Sequence, residues 1–299
     1  MKILLFGANG QVGTELRRSL ASLGEVVPAT RGGELPGSVP CETADFDQPA
    51  SLAALIDRIA PDLIVNAAAY TAVDRAEQDQ EAAFRANAEA PRVIADACAK
   101  RDVPLVHYST DYVFDGTATR PYREDAPTAP LGVYGASKLA GEQAIQGSGA
   151  RHLILRTAWV YAAHGKNFLL TMLRLAKERD ELRVVADQVG TPTSAALIAD
   201  VTARAVAQPS FRGVHHLTAA GETTWHGFAE AIVAQAAAKG LLGKAPPAVR
   251  PITTAEYPTP ARRPAYSRLD CTNLEAGLSL QLPLWQQDLA RVLDDLAPG

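Results

Sequence analysis

The chain has 299 residues, long enough for one large core or two unequal lobes, and is 47% hydrophobic and 21% charged. That composition lies outside the regime of disorder. A formal net charge of −4 supplies no general attraction for nucleic acid or an anionic membrane surface, so neither is expected as a partner.

The cysteines, Cys41, Cys98 and Cys271, are odd in number and lack a CxxC, which supports neither a disulfide framework nor a zinc site. No secretion-signal pattern opens the chain, and no segment approaches the ~18 uninterrupted apolar residues of a membrane span. A reducing, cytoplasmic setting is expected.

The run KILLF at 2–6 reads as a strand. Gly7, Gly10 and Gly13 follow it at the opening of a helical pattern over 11–23. A glycine turn between a strand and a helix presents backbone N–H groups and the helix dipole to a pyrophosphate. Its GxxGxxG spacing meets the same needs as the dinucleotide fingerprint: a tight turn, close ligand approach and close helix packing. The second strand, EVVPA, ends in Thr30 and Arg31. An acid there would hold the ribose 2′-hydroxyl of NAD, whereas Arg accommodates a 2′-phosphate. NADPH is therefore the expected cofactor, with NADH use left open. Asp45 and Phe46 are candidates to flank the adenine. After a helical pattern over 52–59 and the strand DLIVN, the small residues Ala67, Ala68 and Ala69 let a cofactor backbone lie close.

A helix over 82–100 leads to the strand PLVHYS and the run YSTDYVFDG, then to a helix over 134–146 and the strand-like HLILRTAWVY. Short uninterrupted apolar runs suit strands covered on both faces, and their alternation with helices argues for βαβ units. The expected class is α/β, a Rossmann-like doubly wound parallel sheet. In YGASK, Tyr134 and Lys138 are four residues apart and share one helix face. A free phenol titrates near pH ~10. The adjacent ammonium is expected to draw that value towards the working range and fit Tyr134 for proton transfer.

Beyond Trp159 helices dominate, over 167–179, 194–207, 225–239 and 284–296, with a proline-rich stretch at 245–264. Residues 1–160 are expected to form the dinucleotide-binding domain and 161–299 a smaller, mainly helical C-terminal substrate lobe. LRVVA and GVHHLT either return to the sheet or build a small sheet of their own. His107, His152, His215 and His216 show no ligand spacing and read as structural. Trp225 reads as packing at a capped helix start. Arg262 and Arg263 stay open between a rigid surface turn and bidentate contact with a substrate diphosphate.

In this order, GxxGxxG, NAAA, YSTDYVFDG and YGASK resemble the extended short-chain dehydrogenase/reductase superfamily. HYSTDYVFDG, RTAWVYAAHGKNF, ADQVGTPT, TTW and YPTPARRPAYSRL are similar to its dTDP-4-dehydrorhamnose reductase family, a likeness covering nearly the whole chain. The resemblance implies NADPH-dependent reduction of the C4 ketone of dTDP-4-dehydro-L-rhamnose, a nucleotide-sugar step towards cell-surface polysaccharide. It implies Tyr134 as the catalytic acid, Lys138 as the group that tunes it and holds the nicotinamide ribose, and Thr110 as a hydrogen-bonding partner of the sugar oxygen. Asp111 and Trp159 would hold the substrate. Gly10, Gln11 and Val12 would meet the pyrophosphate, Asp45 and Phe46 the adenine, and Ala67, Ala68, Ala69, Thr71 and Tyr108 the rest of the cofactor.

Some members of the family bind magnesium through an acidic cluster at a dimer contact. The matching positions here are Glu15, Ala196 and Asp295, so the middle carboxylate is missing; no metal is expected, and the chain is a monomer or a homodimer. Two rival classes are a nucleotide-sugar epimerase or 4,6-dehydratase, and a regulatory subunit that binds cofactor without turnover. Tyr112, where dehydratases carry an acid, argues against dehydration. Intact Thr110, Tyr134 and Lys138 argue against the regulatory subunit.

Overall fold

Alternate residues of the first strand, β1 (Lys2–Phe6), belong to different cores: Ile3 and Leu5 pack on one side of the sheet, Leu4 and Phe6 on the other. Side chains of a strand point to opposite faces in turn, so a strand covered on both sides has no polar position to spare. The structure, a computed structural model, describes residues 1–208 and 210–297. Six further strands join β1: β2 (Glu25–Thr30), β3 (Glu42–Thr43), β4 (Leu63–Asn66), β5 (Leu105–Thr110), β6 (His152–Thr157) and β7 (Gly213–His216). Their order is β3-β2-β1-β4-β5-β6-β7, and every pairing is parallel. The order reverses beside β1, where such sheets open a crevice at their carboxyl ends.

The long helices are α1 (Gln11–Leu20), α2 (Ala50–Ile59), α3 (Ala90–Arg101), α4 (Val133–Gly147), α5 (Phe168–Glu178), α6 (Ala195–Val206), α7 (Trp225–Ala238) and α8 (Trp285–Asp294). Val12, Leu16 and Leu20, four residues apart, make the apolar stripe by which α1 packs on the sheet beside Ile198, Ala199 and Val201 of α6. Helices α2, α3 and α4 cover the opposite face through Leu52, Ile94 and Ile145. The helix expected over 82–100 is broken into a short α-helix at Gln80–Phe84, a π-helical turn at Arg85–Glu89, and α3.

A third core gathers α5, α7 and α8 around Leu169, Phe228, Ile232, Trp285 and Leu289. Strand Glu181–Val185 pairs in parallel with Ala248–Ile252 beside it. LRVVA thus builds its own small sheet, whereas GVHHLT returns to the edge of the main one as β7. Among the described residues, no helix is long and apolar enough to cross a membrane.

Candidate active site

A cleft of about 760 Å³ opens at the carboxyl ends of β1, β4 and β5. Gly7 sits at φ +74°, and a Cβ there would lie 2.6 Å from Ala68 N; one on Gly13 would lie 2.0 Å from Gly7 O. Only hydrogen at both positions lets the turn, the Ala67 to Ala69 run and α1 close on one another. Gly10 N donates to Gly7 O at 3.0 Å, and the bond from Thr14 N to Gly10 O at 2.9 Å opens the helical ladder. The N–H groups of Gln11, Val12 and Gly13 therefore have no partner within α1. No acid stands in that first turn, so the end suits an anion. The Gln11 side chain is already engaged, its Oε1 accepting from Asn167 Nδ2 at 2.7 Å, which leaves its backbone N–H for a ligand.

Gly7, Gly10, Gln11 and Val12 line the cleft, as do Ala67, Ala68, Ala69 and Thr71. Arg31 and Phe46 line it as well. Arg31 is 68% exposed and lies 3.7 Å from Asp45 and 3.3 Å from Asp47, so two carboxylates already share its charge. Three residues expected here do not line the cleft. Gly13 lies beneath the turn. The Thr30 hydroxyl donates to Glu34 O at 3.0 Å and accepts from Glu34 N at 3.1 Å, which ties down the strand end. Asp45 accepts from Asp47 N at 3.0 Å and shapes its own turn.

Thr110 and Asp111 leave the end of β5 facing Tyr134 and Lys138 on α4, and all four line the cleft. Thr110 Oγ1 donates to Asp111 Oδ1 at 3.0 Å and accepts from Tyr112 N at 3.2 Å. Burial pushes the Tyr134 phenol up to about 12, with Thr110 opposing the rise and Asp111 adding to it. Burial pushes Lys138 down to about 8, with Glu142 opposing. The expected lowering of the phenol by the lysine does not enter: burial sets the direction, and Lys138 Nζ donates to Tyr108 O at 2.6 Å. A phenol that stays protonated through neutral pH is the form that gives a proton. Tyr108 contributes that carbonyl only, since its hydroxyl meets Thr202 Oγ1 at 2.8 Å among the apolar side chains under α6.

Residues without an obvious sequence signal hold α4 in place. Gly132 supplies no side-chain cap, and Glu77 Oε1 accepts from Val133 N at 2.8 Å in its stead. Asn87, in the π-helical turn, donates to Ser137 Oγ and to Tyr70 O, both at 3.0 Å, and accepts from Tyr70 N at 2.8 Å. Arg263 grips Asp74 with two bonds of 3.0 and 2.8 Å, which fastens the proline-rich stretch to the short helix Val73–Ala76. That guanidinium is spent on a structural pair, and neither Arg263 nor the exposed Arg262 lines the cleft.

Trp159 lines the cleft at φ +47° and stacks on Trp225 with centroids 3.6 Å apart and planes 7° apart. Gly190 lies under the ring, where a Cβ would come within 2.6 Å of Cε2. Trp225, read from sequence as packing, is a wall of the cleft. Its helix is indeed capped, by Thr224 accepting from Gly227 N at 3.0 Å, but the ring's placement had no pattern to announce it. Ser109 Oγ, Thr157 Oγ1 and Asp111 Oδ2 are buried at the cleft with no hydrogen-bond partner in the protein. Such atoms call for a polar ligand. With the glycine cradle, they fit a dinucleotide beside a sugar. Glu15 is taken up by His164 at 3.0 Å and Arg18 at 3.4 Å, and among the described residues no group of three His, Cys, Asp or Glu side chains is placed to hold a metal.

The family described as RmlD substrate binding domain matches residues 1–297. The chain belongs to this family. Within it, the dTDP-4-dehydrorhamnose reductase of Burkholderia thailandensis is 51% identical over 307 residues, covering 99% of each chain. Two solved dTDP-4-dehydrorhamnose reductases share the fold. That of Clostridium acetobutylicum superposes with TM-score 0.89 at 34% identity, covering 99% of each chain. That of Bacillus anthracis, solved in complex with NADP, gives TM-score 0.89 at 33% identity over 98% of this chain and 99% of its own.

Proposed function

We propose that this family member is an NADPH-dependent dTDP-4-dehydrorhamnose reductase that converts the C4 ketone of dTDP-4-dehydro-L-rhamnose to the alcohol of dTDP-L-rhamnose, within cytoplasmic supply of nucleotide sugar for cell-surface polysaccharide. One observation carries the reading: an anion-binding glycine turn and a protonated Tyr134 open on the same cleft as three unpartnered polar atoms. When bound, the reduced nicotinamide supplies a hydride. The chain supplies position and a proton. Tyr134 Oη gives its proton to the ketone oxygen, where negative charge develops. The Thr110 O–H, which donates to Asp111 Oδ1 in the open cleft, turns to the sugar oxygen beside Tyr134 when substrate binds. Asp111 Oδ2 accepts a sugar hydroxyl, and the stacked Trp159 and Trp225 rings wall the sugar site. The α1 N-terminus holds the pyrophosphate, Phe46 packs at the adenine, Arg31 receives the 2′-phosphate, and Lys138 holds the nicotinamide ribose.

The test is titration of the purified protein with dTDP-4-dehydro-L-rhamnose and NADPH, following NADPH absorbance and identifying the product by NMR. Stoichiometric oxidation with formation of dTDP-L-rhamnose is expected. An isomerised or dehydrated sugar without net oxidation would instead mark an epimerase or dehydratase. Cofactor binding with no sugar product would mark a regulatory subunit.

A further inference from the structure

Behind Lys138 runs a buried chain of side chains that the reaction above does not use. Asn66 ends β4 and His107 lies in β5, 1% and 0% exposed. Asn66 Oδ1 accepts from the backbone N–H of Ala68 at 3.1 Å, which fixes the orientation of its amide. Nδ2, 3.1 Å from His107 Nδ1, is therefore the donor and Nδ1 the acceptor. Burial, with the nearby Lys138 charge, holds the imidazole well below its ordinary pKa and so neutral. A neutral imidazole whose Nδ1 accepts carries its hydrogen on Nε2. That N–H faces Lys138 Nζ across 3.4 Å. An ammonium has donors only and would meet it donor to donor. The free amine has a lone pair to accept it, and still donates to Tyr108 O at 2.6 Å.

We propose that Asn66 and His107 form a tautomer lock: by presenting Nε2–H to Lys138, His107 adds to the burial of the lysine and favours its free amine, so that it takes up and releases its proton near the working pH. His107 is thereby a positioning residue for the reductase. Other groups around Lys138 do not set this balance. Tyr134 stands one turn earlier on α4 and is neutral. Glu142, one turn later, favours the ammonium, but Arg156 of β6 holds it with bonds of 2.9 and 2.6 Å. Asp111 gives Oδ1 to Thr110, Tyr108 presents a carbonyl, and the π-helical turn packed on α4 presents the neutral Asn87. Glu77 is spent on the helix N-terminus at Val133.

The test is 15N NMR of the full-length protein, with the His107 signals identified by their loss in His107→Gln. At pH 7 the wild type is expected to show a bare Nδ1 and a protonated Nε2. In Asn66→Asp the carboxylate cannot donate, so the hydrogen moves to Nδ1 and Nε2 becomes an acceptor for Nζ. In His107→Gln the amide oxygen can play that accepting part without adding charge. Both variants should move the alkaline limb of the pH–rate profile upward by about one pH unit, a roughly tenfold rise in the proton affinity of Lys138. A wild-type His107 protonated on Nδ1, or limbs unmoved in both variants, overturns the lock. The kinetic arm rests on the reductase reading, whereas the tautomer is measured without turnover. The expected imidazole in a protein that does not turn over therefore supports the lock and sinks the reductase reading alone. If neither variant folds, assignment of the wild-type His107 ring through its own backbone resonances still reads the tautomer and decides.

Discussion

Gly13→Ala sets two effects of known size against each other. Replacing a helical glycine with alanine ordinarily favours folding by ~1 kcal/mol. At position 13 the new Cβ would lie 2.0 Å from Gly7 O and 2.9 Å from Ala8 Cα, and both obstacles are backbone. The glycine turn and α1 must part by more than ~1 Å to relieve that contact, and overpacking of this kind costs ~1–3 kcal/mol. Sterics offset the gain and leave a net loss of up to ~2 kcal/mol. At ~2.1 cal/mol/K per residue the unfolding entropy of the chain is ~0.6 kcal/mol/K, so Tm should fall by up to ~3 °C. Moving the turn also spoils the row of N–H groups at the α1 start, and NADPH should bind at least ~tenfold more weakly, about 1.4 kcal/mol. Gly147→Ala is the control: its Cβ would meet nothing within 4 Å, so the propensity gain stands alone and Tm should rise by ~1–2 °C. Calorimetric titration with NADPH and thermal unfolding read both variants. Wild-type affinity together with an unchanged or higher Tm in Gly13→Ala would refute the reasoning.

Tyr134→Phe should lower turnover by ~10² to 10⁴ while leaving NADPH affinity unchanged, since the ring stays and only the proton is lost; near-normal steady-state turnover removes the tyrosine from its role. Arg31→Ala should raise KM for NADPH several-fold and leave that for NADH unaltered, because Asp45 and Asp47 already temper the guanidinium; equal effects on both cofactors would show that the residue does not read the 2′-phosphate. Asp111 has its carboxyl pushed up by burial from 3.8 to about 6. The folded state therefore binds this proton more tightly than the unfolded one, and the stability it lends below pH ~4 is lost as pH rises through ~6. Two units correspond to at most ~3 kcal/mol. Asp111→Asn should consequently raise Tm by a few degrees at pH 8, with the gain vanishing towards pH 4, while turnover falls. A gain independent of pH would show that the carboxylate carries no such strain.

The strands of the sheet were legible because both their faces are covered: the runs ILLF and LIV are apolar at successive positions and alternate with helical patterns. Helices expected over 11–23 and 134–146 form over 11–20 and 133–147. The π-helical turn was not legible, since Arg85 to Glu89 continue a helical pattern and the extra residue per turn is imposed by Asn87 reaching Tyr70 and Ser137. In the cleft, the glycine turn and the Tyr134–Lys138 spacing announced themselves through short-range geometry. The Trp159–Trp225 stack, the Glu77 cap and the Asp74–Arg263 pair join residues 56 to 189 positions apart, and no periodicity encodes such meetings. The effect of burial on Tyr134 and Lys138 was not legible for a related reason. Four-residue spacing places a lysine near a tyrosine, but burial of both is a property of the assembled cleft.

The edge strand β7 has a practical consequence for protein engineering. It pairs with β6 along 213–216 and thereby seals an apolar flank that the first 160 residues cannot cover by themselves. Exchanging sugar specificity between relatives by grafting everything after position 160 would swap that flank and α6 along with the sugar site. A chimera keeping the native 195–217 and transplanting only the pieces around α5, α7 and α8 leaves the main sheet and its glycine turn with their own seams intact.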